Sequence, residues 1–285
     1  MSGKNTTATA TRQISIFLHM ILKQICSMPI AQHKRTYIKE GLMFIAISCI
    51  VTYLTFNWYY SSVAGEPVTD TYTEFGIQIP GNYQIHGIDV SKYQQNVRWE
   101  AVKQMKVNDV QLGFAFIKAT QGTDRTDATY ALNWKQAKEA SIARGAYHFY
   151  NPSQTGKAQA KHFIKTVDLE SGDLPPVLDI EVTKGVSSKK LKKELKVWLK
   201  EVEDHYKVKP IIYTNAGFYT SILGNDFDDY PLWVAHYQEL VQPRVARNWL
   251  FWQHSDRGRV NGIAAAVDFN VFNGDSTAFK ALLLK

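Results

Sequence analysis

Short apolar runs alternate with helical segments from residue 85 to the C-terminus, and this alternation is the strongest constraint on the fold. A helix that follows each strand returns the chain to the start of the next strand, so the alternation predicts a mainly parallel sheet. The number of runs predicts an α/β fold closed as a TIM-like barrel. The eight runs are His86–Val90, Phe114–Thr120, Gly145–Tyr150, Pro176–Glu181, Pro210–Asn215, Leu232–Tyr237, Leu250–His254 and Val267–Phe272.

Helical periodicity is present between the early runs and absent between the last three. The predicted helices are Trp99–Met105, Tyr130–Ala140, Ala158–Val167 and Ser188–Tyr206. The barrel is therefore expected to be irregular near its end. In such barrels the active site lies at the carboxyl ends of the strands.

The fourth run ends in two acids, Asp179 and Glu181. Residues two apart on a strand point to the same side, so both carboxylates are expected on one face. Carboxylates on an apolar strand are costly unless they meet water, partners or a substrate. Paired carboxylates are also what the hydrolysis of a glycosidic bond requires. The alternatives are a strand that runs into a solvated loop and a structural ion-pair network.

Further acids and aromatic residues occur where the other strands end. Asp89 ends the first run and Asp268 begins the last one. The convergence of acids and aromatic side chains predicts an enzymatic site that binds sugar rings, although the aromatic residues would equally suit core packing. The candidate substrate-binding residues are Tyr147, Phe149, Tyr213, Trp233, Tyr237 and Gln253.

Motifs of several other enzyme classes are absent. The sequence has no metal-ligand spacing such as HExxH or CxxC, no glycine-rich phosphate loop and no GxSxG elbow. We therefore expect no metal and no cofactor. The histidines are expected to be hydrogen-bonded structural residues.

The chain from about residue 85 onward resembles the glycoside hydrolase family 25 lysozymes, the Chalaropsis-type muramidases. No single matching segment is specific for this family, but the order and spacing of all the segments together are specific. The segments begin with His86–Ser91, Phe116–Thr120, Arg144–Phe149 and Leu178–Glu181, and continue with Pro210–Tyr213, Leu232–Tyr237, Trp252–His254 and Val267–Asn270.

The resemblance implies cleavage of the β-1,4 bond between N-acetylmuramic acid and N-acetylglucosamine in peptidoglycan. It implies that Glu181 is the general acid and that Asp179 is ionised, to orient the substrate's N-acetyl group or to stabilise positive charge. Asp89 and Asp268 would position the substrate and tune this pair. Retaining, inverting and substrate-assisted routes all stay open.

Two other functions share part of this sequence pattern. A chitinase family that also carries an Asp-x-Glu ending has aspartates two and five residues before the first acid, where this chain has Val177 and Leu174. This difference argues against a chitinase-like enzyme. The second alternative is a membrane-anchored protein that binds peptidoglycan but has an inactive hydrolase fold. The presence of all four candidate acids argues against this alternative.

The N-terminal part predicts a membrane anchor. The chain has a net charge of +7, of which residues 1–40 carry +5. No charged residue occurs between Gly41 and Gly65, and residues 41–60 are long enough to span a bilayer. The basic residues before this stretch predict a cytoplasmic N-terminus, and the aromatic residues at its far end suit the opposite membrane interface.

These features predict a domain order and a location. Residues 1–40 are expected in the cytoplasm, 41–60 as a signal anchor, 61–84 as a linker and 85–285 as the catalytic barrel outside a bacterial cytoplasmic membrane. Small residues that end at Ala64 also fit a signal-peptidase site, and cleavage there would release the barrel. The barrel is expected to be monomeric. Because the excess charge is concentrated at the N-terminus, nucleic acid is not an expected partner.

Overall fold

The computed structural model describes residues 41–43, 45–55, 69–237 and 239–285, and most of them belong to one sheet with its helices. All eight predicted runs form strands. In chain order the strands are β1 (Thr69–Tyr72), β2 (Ile77–Pro80), β3 (His86–Val90), β4 (Lys106–Val107), β5 (Val110–Gln121), β6 (Arg125–Thr126), β7 (Ala143–Phe149), β8 (Val177–Asp179), β9 (Ile211–Asn215), β10 (Leu232–Ala235), β11 (Phe251–Gly258) and β12 (Val267–Phe272).

Eight of these strands close into a barrel, as predicted. The order around the barrel is β3, β5, β7, β8, β9, β10, β11 and β12, and β12 pairs back to β3. The pairs from β3 through to β11 are parallel. The short strands β4 and β6 each pair with an end of β5.

The last strand, β12, runs antiparallel to both of its neighbours. A parallel return would need a crossover of about a dozen residues or more, and the connection between Gly258 and Val267 is shorter than that. The start of β12 therefore lies at the same rim as the carboxyl ends of the other seven strands. Its register places Asp268 opposite Asp89 of β3.

Helices cover the outside of the parallel part of the barrel. The helices of at least six residues in the barrel unit are α1 (Trp99–Gln104), α2 (Tyr130–Glu139), α3 (Gly156–Thr166), α4 (Ser188–Tyr206) and α5 (Ser276–Leu282). In α4, Leu191, Leu195 and Trp198 are buried, and the lysine-rich face is turned outward. Two of these lysines, Lys192 and Lys196, form ion pairs with Asp226.

Aromatic rings fill the interior of the barrel. Phe116 stacks on Trp233 at 4.3 Å between ring centroids, and Tyr213 meets the same indole edge-on at 4.5 Å. Such large side chains need small residues on neighbouring strands. A Cβ atom at Gly145 would lie 2.6 Å from the Phe116 ring, which explains the glycine in β7. The packed rings form a solid floor beneath the carboxyl ends of the strands.

A hairpin of β1 and β2 takes the place of the missing helix beside β11 and β12. Phe75 in its turn is fully buried and meets Phe269 of β12 edge-on at 5.2 Å, and Ile77 and Ile79 of β2 are also buried. The backbone N–H of Arg259 donates to the Phe75 carbonyl. These residues fall within the stretch expected to be a linker, 61–84, so its later part belongs to the folded barrel unit.

The chain divides into two units, Met1–Gly65 and Glu66–Lys285. In the first unit the described residues 41–43 and 45–55 are helical. Within the described part of the chain, no helix has the length and apolar character required to cross a membrane. The predicted cytoplasmic segment 1–40, the end of the predicted span at 56–60 and the start of the predicted linker at 61–68 lie outside the described residues.

We predict that Phe75→Ala destabilises the barrel unit by about 3–5 kcal/mol, the usual cost of emptying a buried phenylalanine site. Glu74→Ala is the matched control, because Glu74 is exposed in the same turn and should change stability by less than about 0.5 kcal/mol. Thermal unfolding of both variants measures the difference. Equal unfolding temperatures for the two variants would show that the hairpin does not contribute to the folded unit.

Candidate active site

A cavity of about 200 Å³ opens at the rim where the carboxyl ends of seven strands meet the start of β12. All four predicted catalytic acids line it: Asp89, Asp179, Glu181 and Asp268. Of the six predicted substrate-binding residues, Tyr147, Phe149, Tyr213, Trp233 and Gln253 line the cavity too. Tyr237 is connected to it through Gln253. Sequence reasoning missed Val90, Ser91, Tyr93, Gln94 and Lys118.

Asp89 is held by two amide side chains. Its Oδ2 atom accepts hydrogen bonds from Nε2 of Gln253 at 2.7 Å and from Nδ2 of Asn270 at 2.8 Å. Because these two donors approach from neighbouring strands, the carboxylate has a fixed orientation and its negative charge is stabilised.

Both amides are themselves oriented by aromatic side chains. Oε1 of Gln253 accepts from the hydroxyl groups of Tyr213 at 2.8 Å and Tyr237 at 2.6 Å. Oδ1 of Asn270 accepts from Nε1 of Trp233 at 2.8 Å. Tyr213, Tyr237, Gln253 and Trp233 therefore support Asp89, and the buried Trp233 also forms the cavity floor. Asn270 was not among the predicted site residues, although it lies two residues after Asp268 in β12 and therefore on the same face of the strand.

Asp89 and Asp268 share a buried hydrogen bond. Burial, the charge of Asp89 and this hydrogen bond raise the pKa of Asp268 to about 9. Burial also raises the pKa of Asp89, but the N–H donors of Asn270 and Gln253 act in the opposite direction. At neutral pH the proton of this pair therefore lies on Asp268, which donates it to the ionised Asp89.

Asp179 and Glu181 are also hydrogen-bonded to each other. Burial raises the pKa of both carboxyl groups, and it raises the pKa of Asp179 well above its usual value. Their mutual hydrogen bond raises the pKa of Asp179 further and lowers the pKa of Glu181. These opposite shifts are expected when the protonated carboxyl group of Asp179 donates the hydrogen bond to the carboxylate of Glu181. The Oδ1 atom of Asp179 is buried and has no hydrogen-bond partner among the described residues, which adds to the cost of ionising it.

The assignment of Glu181 as the general acid and of Asp179 as its ionised partner stays a prediction. In the ligand-free geometry the pKa of Asp179 is raised more strongly than that of Glu181. The reason is depth: Asp179 is the last residue of β8 and is only 5% exposed, whereas Glu181 lies two residues beyond and is partly exposed. The sequence shows which residues carry carboxyl groups but not how deeply each is buried.

Lys118 brings a positive charge to this pair. It lies on β5, and its Nζ atom donates to Oε1 of Gln121 at 3.0 Å and is 4.5 Å from the centroid of the Phe149 ring. Its charge lowers the pKa of Asp179 and of Glu181. Burial in turn lowers the pKa of Lys118 itself. A lysine inside an apolar strand was a signal in the sequence that could have identified this residue.

The two tyrosines beside the acids stay protonated. Burial and the nearby carboxylates raise the pKa of Tyr147 and of Tyr213 well above the usual value. Tyr213 accordingly donates to Gln253, and Tyr147 presents its phenol at the cavity wall. The cavity therefore contains two hydrogen-bonded carboxyl pairs beside two neutral tyrosine hydroxyl groups.

Comparison with known proteins places these residues in a family. The model of the glycosyl hydrolases family 25 matches residues 88–263. The protein YegX of Escherichia coli (strain K12) is 42% identical over 261 residues, which cover 89% of this chain and 95% of that protein. Lysozyme M1 of Streptomyces globisporus is 35% identical over 217 residues, which cover 70% of this chain and 71% of the lysozyme.

Solved structures agree with this match. The bacterial lysozyme from Streptomyces coelicolor superimposes with a TM-score of 0.65 at 34% identity, over 71% of this chain and 98% of the lysozyme. A family 25 glycosyl hydrolase from Bacillus anthracis gives a TM-score of 0.67 at 30% identity, over 75% of this chain and 100% of that chain. The resemblance inferred from the sequence is therefore confirmed, and the chain belongs to glycosyl hydrolase family 25.

Proposed function

We propose that this chain is a lysozyme, an N-acetylmuramidase that hydrolyses the β-1,4 bond between N-acetylmuramic acid and N-acetylglucosamine in peptidoglycan. The observation that carries the proposal is the hydrogen-bonded pair of Asp179 and Glu181 in one cavity with Asp89 and Asp268. The names of the lysozyme relatives support the choice of substrate.

Glu181 is the general acid in this proposal. It is the more exposed member of its pair and lines the open cavity, so it can reach a bound glycosidic oxygen. Burial raises its pKa, which favours a carboxyl group that holds a proton near neutral pH. In the ligand-free state the shared proton lies on Asp179, so it must pass along their hydrogen bond to Glu181 before the glycosidic bond breaks.

Loss of that proton leaves Asp179 as an anion beneath the sugar. An inverting mechanism would need the two carboxyl groups to be roughly 6.5–9.5 Å apart to hold a water molecule between them. The hydrogen bond between Asp179 and Glu181 makes this pair a poor fit to that spacing in the ligand-free cavity. We therefore propose that ionised Asp179 acts either as the countercharge to the developing positive charge or as the group that orients the substrate's N-acetyl oxygen.

The other charged residues of the cavity shift the pKa values of Asp179 and Glu181. Ionised Asp89 raises the pKa of both Asp179 and Glu181, and Lys118 lowers both. Asp268 keeps Asp89 in place by hydrogen bonding and does not add a second charge at neutral pH. Every one of these groups comes from the same chain, so we propose that the protein acts as a monomer.

We further propose that residues 41–60 anchor the chain in a bacterial cytoplasmic membrane with the barrel outside. The uncharged stretch, the basic residues before it and the aromatic residues after it support this topology. The helical residues 41–43 and 45–55 also expose large apolar side chains such as Met43, Ile45 and Tyr53. Full-length protein should stay with membranes after alkaline carbonate extraction, and its release into the supernatant would contradict the anchor.

We predict that Glu181→Gln lowers the release of reducing ends from purified peptidoglycan by about 100-fold or more, because the amide cannot protonate the leaving oxygen. The variant should still sediment with peptidoglycan, since the cavity keeps its shape. Reducing-end assays and pelleting measure the two properties separately. Glu100→Gln is the control, because Glu100 is exposed on α1 and does not line the cavity.

Wild-type protein that sediments with peptidoglycan but releases no reducing ends would contradict the enzymatic proposal. That result would favour a binding protein on a hydrolase fold. Release from chitin oligomers but not from peptidoglycan would favour the chitinase-like alternative.

We predict that Lys118→Met moves the basic limb of the pH–activity profile to higher pH. Activity needs the proton of the Asp179–Glu181 pair and is lost as pH rises through the raised pKa of that pair. Lys118 lowers both pKa values, so its removal raises them and lets the proton persist to higher pH. Lys118→Arg keeps the charge and should leave the limb near its original position. If the basic limb of Lys118→Met stays at the wild-type pH or moves to lower pH, Lys118 does not lower the pKa values of the pair as proposed.

A further inference from the structure

Tyr93 stands out among the large hydrophobic side chains of the barrel unit. Its side chain is 72% exposed, which is the highest value among the large hydrophobic residues that the structure describes. It nevertheless lines the same cavity as the catalytic acids. An aromatic ring that is left in solvent at the edge of a substrate cavity has a free apolar face, and a ligand that packs on that face gains the free energy of its burial.

The backbone that carries Tyr93 is held firmly. Residues Lys92–Gln94 form a single 3₁₀ turn directly after β3, and Ser91 caps it reciprocally with Gln94. The backbone N–H of Lys92 donates to Oδ2 of Asp127 at 3.0 Å, and Nε2 of Gln94 donates to the Ala266 carbonyl at 2.9 Å. Three separate parts of the chain therefore fix the turn, although the ring that it presents has little packing of its own.

The exit from this turn is strained. Gln95 has a φ of 54° and a ψ of −131°, a backbone conformation that residues with a Cβ atom rarely adopt. Such strain persists only where surrounding interactions hold it, and it is concentrated at functional sites. Here the hydrogen bonds of Ser91, Lys92 and Gln94 hold the strained turn in the one conformation that presents Tyr93 at the cavity mouth.

The chemistry of the ring selects the ligand. A pyranose has a face of C–H groups that packs flat on an aromatic ring, and the phenol hydroxyl can meet the polar edge of the sugar. Nζ of Lys92 lies 5.6 Å from the ring centroid, and hydrogen bonds hold the backbone that carries the ring. A ring on a fixed backbone binds a sugar at a smaller entropic cost than a ring on a mobile loop.

We propose that Tyr93 forms an additional sugar-binding subsite, in which it stacks on a hexosamine ring of the glycan strand beyond the two sugars that flank the cleaved bond. The subsite lies at the mouth of the cavity, on the β3 side, and is separate from the two acid pairs. It rests on the proposed lysozyme function, because it needs a glycan chain that extends out of the cavity. Its role is to hold long strands, so it contributes to substrate binding and not to the chemical step.

The test compares Tyr93→Ala, Tyr93→Phe and Leu132→Ala with the wild type on polymeric glycan strands and on the N-acetylmuramic acid–N-acetylglucosamine disaccharide. Tyr93→Ala should raise KM on the polymer by about threefold to tenfold, as expected for the loss of one ring contact, and its effect on kcat should be smaller. The increase should disappear on the disaccharide, which contains only the two sugars that flank the cleaved bond and cannot fill an additional subsite. Tyr93→Phe keeps the ring and should retain most of the wild-type affinity.

Leu132→Ala is the matched control, because Leu132 is a 45% exposed apolar residue on α2 that does not line the cavity. The same Tyr93 substitutions in a Glu181→Gln background allow the affinity for uncleaved strands to be measured directly by pelleting. An active wild type with the same KM as Tyr93→Ala on the polymer would overturn the subsite. An equal KM increase on the polymer and on the disaccharide would also overturn it. An inactive wild type would instead contradict the proposed lysozyme function.

Discussion

Four carboxyl groups buried in one cavity cannot all be ionised, and the rest of the site follows from this constraint. The protein meets it by arranging the acids as two hydrogen-bonded pairs, Asp89 with Asp268 and Asp179 with Glu181. Each pair holds one proton, so the cavity carries fewer negative charges than it has carboxyl groups. The charge that remains is balanced by two amide donors at Asp89 and by Lys118 beside Asp179.

The barrel supplies the geometry that makes these pairs. Asp179 ends β8 and Glu181 lies two residues beyond it, whereas Asp89 and Asp268 come from the first and last strands of the barrel and meet because β12 runs antiparallel to β3. Beneath them the stacked Phe116 and Trp233 form a rigid apolar floor. This floor both excludes water from the acids and holds the indole that orients Asn270. The same packed rings therefore raise the pKa values of the acids and fix their positions.

Much of the fold could be predicted from the sequence, because strand and helix periodicities are local signals. The eight barrel strands and helix α4 lie where the apolar spacing indicated. The direction of β12 and the hairpin could not be predicted in the same way. The reversal of β12 depends on a short connection, and the hairpin has the polar composition of a linker, with its apolar residues concentrated at Phe75, Ile77 and Ile79.

The candidate site could likewise be predicted only in part from the sequence. The four acids and their convergence could be predicted, because barrel strands bring their carboxyl ends together. The location of the proton on Asp179 could not, since it depends on the relative burial of two neighbouring side chains. Lys118 and Tyr93 were missed for different reasons. Lys118 follows the apolar run Phe114–Ile117 in β5 and could have been identified from the sequence as a charged residue at the end of that run, whereas Tyr93 becomes notable only when its exposure at the cavity mouth is known.

The identity of the bond that is cleaved is the central claim, and the products of the reaction test it most directly. Mass spectrometry of fragments released by the wild-type protein from peptidoglycan of defined composition, before and after borohydride reduction, identifies the sugar at the new reducing end. The account predicts reduced N-acetylmuramic acid at that end. Reduced N-acetylglucosamine, or fragments that differ only in their peptides, would contradict it.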